Sequence, residues 1–208
     1  MSSSLRCSLC LALCGLSWLM VEAINPASRL KVRPLPVPAL TAAGLVGPWF
    51  VQSHLAPCSW QGSSEFTDWQ TNIVLGAQPG IKYRNDVWRM HGTCTHVPFT
   101  MIFSSTVSGK LVIKDPIGDV LTGEAVVIGF EPNAYIIMWG CTKPSVIPHQ
   151  CADPWLTILT RDQFPLPTVW NNIDMSLMHV FGLRLADIPR VKHTTAPCVP
   201  SIPHGVKG

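Results

Sequence analysis

Thr95–Cys141 reads THVPFTMIFSSTVSGKLVIKDPIGDVLTGEAVVIGFEPNAYIIMWGC, and this stretch decides the fold. It holds four runs rich in Val, Ile, Phe and Trp: THVPFTMIFSSTV, KLVIKD, EAVVIGF and AYIIMWGC. Gly, Pro, Ser and Asn separate them. β-branched and aromatic side chains suit a pleated, half-buried surface, so apolar runs bounded by turn formers read as strands.

Toward the N-terminus the same texture recurs at Gly47–His54 (GPWFVQSH) and at Asp68–Leu75 (DWQTNIVL). It returns at Ile81–Trp88, after a turn at Gln78-Pro79-Gly80. Toward the C-terminus Pro154–Arg161 (PWLTILTR) adds another. About eight short strands in succession are the signature of an antiparallel barrel or sandwich. The period then changes. Val169, Ile173, Leu177 and Val180 form one stripe of a helix, expected over about 167–181, with Pro167 suited to its first turn and Gly182 to the position past its end.

Composition agrees with a globular domain. The 208 residues are 47% hydrophobic and 13% charged, which excludes wholesale disorder. The net charge of +3 is spread without any Lys or Arg run, which argues against a nucleic-acid partner. No apolar stretch reaches the roughly 18–20 residues needed to span a bilayer.

Met1–Ala23 reads as a secretory signal peptide. Arg6 supplies the positive region, Cys7–Met20 the apolar core, and Val21-Glu22-Ala23 the small residues of a cleavage site before Ile24. Cys7, Cys10 and Cys14 are then apolar leader residues, not a metal or redox motif. Residues 24–43 carry Pro26, Pro34, Pro36 and Pro38, which excludes regular helix or central strand and predicts an extended arm. The domain proper is expected over 44–198, with a flexible tail over 199–208.

Three local motifs, in this order of elements, resemble the lipocalins, secreted barrels of eight up-and-down antiparallel strands that hold a small hydrophobic molecule. Gly47-Pro48-Trp49 matches the family's G-x-W, after a Pro-Val-Pro arm at Pro36–Pro38. Glu131–Cys141 is similar to the segment before the seventh strand, although its Thr-Asp is replaced by Phe130-Glu131-Pro132. Ile158–Arg161 matches the Arg that ends the eighth strand, and the helix and tail through Cys198 resemble apolipoprotein D-like and retinol-binding-protein-like members. The resemblance implies an all-β, eight-stranded antiparallel up-and-down barrel with one C-terminal helix packed outside. Gly47, Trp49 and Arg161 would plug its closed end, Arg161 stacking on the indole.

Side chains alternate along a strand, so the motifs set the register. Counting from Arg161, Leu159, Thr157 and Trp155 face inward. Counting back from Cys141, Met138 and Ile136 do. On the first strand Trp49, Val51 and Ser53 share one face. The resemblance thus implies a ligand lining of Val51, Ile136, Met138, Trp155, Thr157 and Leu159. An apolar lining with few polar groups suits a lipid, retinoid, bilin or steroid. Truncating Trp155 or Met138 is expected to alter ligand preference at a milder stability cost than truncating Arg161. Trp69 and Trp88 are weaker candidates for the same pocket.

Five cysteines follow Ala23: Cys58, Cys94, Cys141, Cys151 and Cys198. In an oxidising compartment they should form two disulfides and leave one thiol. Cys141 and Cys151 flank a hairpin loop, where relatives carry a bridge at similar spacing. Cys198 would tie the tail to the barrel through Cys94 or through Cys58, both arrangements being used by relatives. Pairing with Cys94 is preferred, and it leaves Cys58 free or available for an intermolecular bridge. Cys58 follows Ala56-Pro57 in a loop with no cationic partner evident, so thiol catalysis is not expected. His91, Cys94 and His96 lie close in sequence, but a disulfide cysteine is the stronger reading than zinc. No cofactor and no metal are expected. The sequence therefore points to a secreted, extracellular binding and transport protein for a small hydrophobic ligand. The alternative is an extracellular structural or interaction protein, in a matrix or epithelial coat, using the barrel without a ligand.

Overall fold

The computed structural model describes residues 26–38, 40, 42–55, 66–114 and 123–199. The expected leader Met1–Ala23, Cys58 and the expected tail beyond Val199 lie outside the described residues. Eight strands pair in sequence order: β1 (Gly47–Leu55), β2 (Thr67–Leu75), β3 (Ile81–Met90), β4 (Thr93–Phe103), β5 (Lys110–Lys114), β6 (Gly123–Glu131), β7 (Tyr135–Pro144) and β8 (Cys151–Thr160). β8 pairs back onto β1, so the antiparallel sheet closes into a barrel with no free edge.

Among the described residues three α-helical segments accompany the barrel: α1 (Pro26–Arg29), α2 (Ala42–Leu45) and α3 (Pro167–Phe181). The first two correct the expectation of a wholly extended arm. Each is a single turn, and Pro26 stands at the first position of its turn, where a missing N–H costs nothing. Between them Val37 donates to the Val127 carbonyl (2.9 Å) and Leu40 to Ser108 Oγ (3.2 Å), laying the arm against one end of the barrel.

α3 starts at Pro167 and stops at Gly182, whose left-handed backbone (φ 64°) lets its N–H reach the Met178 carbonyl. Its Ile173 and Leu177 are buried against the outer wall with Ile137, Trp139, Ile158 and Leu30. Trp139 there donates to the Leu30 carbonyl (2.8 Å). The core is thus double: a cluster between wall and helix, and a larger one inside the barrel.

The chain after α3 returns along the barrel and is fastened by Val191 N–H to the Gln52 carbonyl and by the Cys94–Cys198 disulfide. A second disulfide joins Cys141 to Cys151, with Cα atoms 5.7 Å apart across the β7–β8 hairpin.

Candidate functional site in the barrel interior

The floor is built from the strand ends. The Arg161 guanidinium lies 3.5 Å from the centre of the Trp49 ring. Its N–H groups donate to the carbonyls of Gly44, Val46, Pro48 and Pro132 at 2.8–3.1 Å. Trp49 Nε1 in turn donates to the Leu45 carbonyl (2.8 Å), so α2 and the indole brace each other. Gly47 is required here: φ is +109°, and a Cβ would stand 2.9 Å from Arg161 Nη1.

Above the floor, Val51 pairs with Leu159, Leu159 with Ile136, and Thr157 with Met138. Directly paired residues share a face, so these five line one wall with Trp155. All six expected lining residues are 0% exposed. With both side chains fully buried, truncating Trp155 or Met138 opens a void in packed core, at a larger stability cost than the mild one expected. Trp155 pairs with Gly140, and its indole lies flat over that residue; a Cβ on Gly140 would fall 2.0 Å from Trp155 Cε2. The glycine makes the slot that the indole occupies.

Ser53 does not share the face of Trp49 and Val51. A bulge after Val51 shifts the pairing by one residue, so His54 is the partner of Thr157 and faces inward in place of Ser53. His54 Nδ1 lies 2.8 Å from Thr157 Oγ1, and its ring is 5.0 Å from Trp69. Burial, reinforced by the Arg84 charge, pushes the His54 pKa down to about 3. The imidazole is neutral at physiological pH.

A second shift, between Thr67 and Gln70 beside Asp68 (φ 54°), places Trp69 inward. Trp69 and Trp88 meet at 5.3 Å, with Phe66 5.3 Å from Trp88, so the two weaker candidates form one aromatic cluster within the interior core.

The interior also holds an ion pair that sequence reasoning missed. Arg84 grips Asp86 with Nε to Oδ1 (2.7 Å) and Nη2 to Oδ2 (2.6 Å), and both side chains are 0% exposed. Trp69 Nε1 donates to Asp86 Oδ2 (2.9 Å). The signal was parity: Lys82, Arg84, Asp86 and Trp88 fall on one face of β3. Charged residues in a strand ordinarily mark the solvent face, and here they mark the inner one.

Outside the barrel, Gln52, Gln163, Phe164, Trp170, Arg190 and His193 surround a cleft of about 350 Å³. Arg190 stacks on Trp170 within it at 3.9 Å. Cys94 is bonded to Cys198, so it cannot serve with His91 and His96 as a metal ligand. Among the described residues no cluster of three His, Cys, Asp or Glu is placed to hold a metal.

No family model matches the sequence, and no curated protein matches it. Solved structures do. The chain is similar to insecticyanin from the tobacco hornworm Manduca sexta, at 13% identity over 82% of this chain and 89% of that one, with a TM-score of 0.63. It is similar to the major allergen Per a 4 from cockroaches, at 14% identity over 77% and 92%, TM-score 0.58. The amine-binding protein of Rhodnius prolixus, in its tryptamine complex, matches at 14% identity over 76% and 84%, TM-score 0.55. Identities this low speak for the fold alone.

Proposed function

For a chain with the lipocalin fold, we propose the function of a secreted carrier that holds one small hydrophobic ligand inside the barrel. The supporting observation is the interior itself. An apolar, aromatic-rich core carries a few buried polar groups on fixed strands, the composition of a small-molecule site rather than of a plain core. The ligand classes this suits are a lipid, retinoid, bilin or steroid. Val51, Ile136, Met138, Trp155, Thr157 and Leu159 are the proposed contacts. Since all six are fully buried, uptake requires their rearrangement. Met138, the most adaptable of them, would yield first. The amine-binding relative from Rhodnius prolixus supports small-ligand binding by this fold. Secretion rests on the leader Met1–Ala23 and on two disulfides, which persist in oxidising compartments.

The test is a panel of a retinoid, a fatty acid, a bilin and a steroid titrated into the purified protein, followed by tryptophan quenching. Saturable one-to-one quenching by at least one is expected. Saturable binding of none would overturn the reading.

The complete burial of the six contacts also favours a second reading, a filled barrel acting through its exterior. That reading expects no uptake, and a disulfide-linked dimer through Cys58 on a non-reducing gel. A monomer that takes up ligand would contradict it.

A further inference from the structure

The polar atoms of the interior are unbalanced. Asp86, the carboxylate of the β3 inner face, is saturated by Arg84 on both oxygens and by the Trp69 indole. The donors are not. Arg84 Nη1, Trp88 Nε1 and Trp155 Nε1 are buried without a hydrogen-bond partner, and so is the hydroxyl of Thr71, the residue paired with Asp86. Each buried N–H left unpaired is costly, and native interiors hold few of them.

These donors all lie in the buried barrel interior. β3 carries Arg84 and Trp88; β7, across the closed barrel, carries Gly140 with the Trp155 indole laid over it. Charge points the same way. Lys82, only 3% exposed, shares the inner face of β3 and rests its ammonium 4.4 Å from the Phe103 ring. Two cations therefore stand beside one carboxylate on that face.

Resting on the carrier reading above, we propose that the barrel selects ligands whose polar end is a carboxylate. Its oxygens would accept from Arg84 Nη1 and from the Trp88 and Trp155 indoles, while the apolar body packs on the surrounding wall. An amine would meet the reverse chemistry: unpaired donors and an Asp86 that already accepts three hydrogen bonds.

Isothermal titration of the intact, disulfide-bonded protein with dodecanoate, methyl dodecanoate and dodecylamine tests this. Dodecanoate should bind at least tenfold more tightly than the ester or the amine. Trp88→Phe with Trp155→Phe keeps both rings and removes both N–H donors. It should cut the acid-over-ester preference at least threefold. Equal binding of acid and ester, a preference for the amine, or an unchanged preference in the double variant would overturn the proposal while leaving the carrier reading standing. If none of the three binds to the wild-type protein and the wider ligand panel also fails, both fall together. The comparison of ligands on the wild-type protein decides the matter even if the variant folds poorly.

Discussion

Arg161 and Trp49 hold the closed end of the barrel as a pair, the guanidinium 3.5 Å from the ring centre. The same guanidinium collects four carbonyls from β1, the segment before it and the β6–β7 turn. One side chain therefore ties together the start and the end of the sheet.

Arg161→Ala removes the stacking contact and strands those carbonyls. The expected loss is about 2–4 kcal/mol of folding stability, with ligand preference unchanged. Urea denaturation and a binding titration read the two effects separately. A variant that melts like wild type would show that the plug is not structural.

Gly140→Ala places a methyl group where the Trp155 indole lies. Overpacking of this kind costs about 1–3 kcal/mol. The indole must leave its slot, so a shift of tryptophan emission should accompany the lowered melting temperature. Ligand affinity should change as well, because Trp155 is a proposed contact.

The strands were legible because β-branched and aromatic residues fill each run and turn formers bound it. What was not legible traces to two irregularities. The bulge after Val51 exchanges Ser53 for His54 on the inner face, and nothing in VQSH announces an extra residue. The shift beside Asp68 likewise obscures the direction of Trp69. Arg84 and Asp86 were missed for another reason: each satisfies the other, so two charges that look solvated in sequence become a neutral unit that can be buried. The helical stripe Val169–Val180 was readable since its buried face is uninterrupted.

Acid should weaken the fold well before the carboxylates titrate. Folded His54 stays neutral down to about pH 3, whereas the unfolded chain takes up that proton near 6.5. The unfolded state thus binds more protons between these values, and stability falls as pH falls through the window. About 2 kcal/mol should be lost between pH 6.5 and 4.5. His193, whose pKa burial also lowers, adds in the same direction. Asp68 and Asp174 are held below the usual carboxylate range, Asp68 against burial by bonds from Thr194 and Arg89, and Asp174 chiefly by the Leu185 N–H; their contribution is lost only at lower pH. His54→Gln, which keeps a partner for Thr157, should flatten most of this slope. An unchanged slope would locate the effect elsewhere.

The two disulfides should differ in worth. Cys94–Cys198 spans 104 residues and Cys141–Cys151 spans 10. Loop-closure entropy then assigns about 4–5 kcal/mol to the first and about 3 kcal/mol to the second. Replacing both cysteines of each pair by serine and comparing urea midpoints measures the difference. The Cys94/Cys198 variant should be the less stable.

The carrier reading requires that the barrel hold one small hydrophobic molecule. Native mass spectrometry of the disulfide-intact protein detects it. The predicted result is a fraction of chains carrying one extra small molecule, released on denaturation and extractable into organic solvent. Chains at their bare mass alone, with no such adduct forming after incubation with the ligand panel, would contradict it.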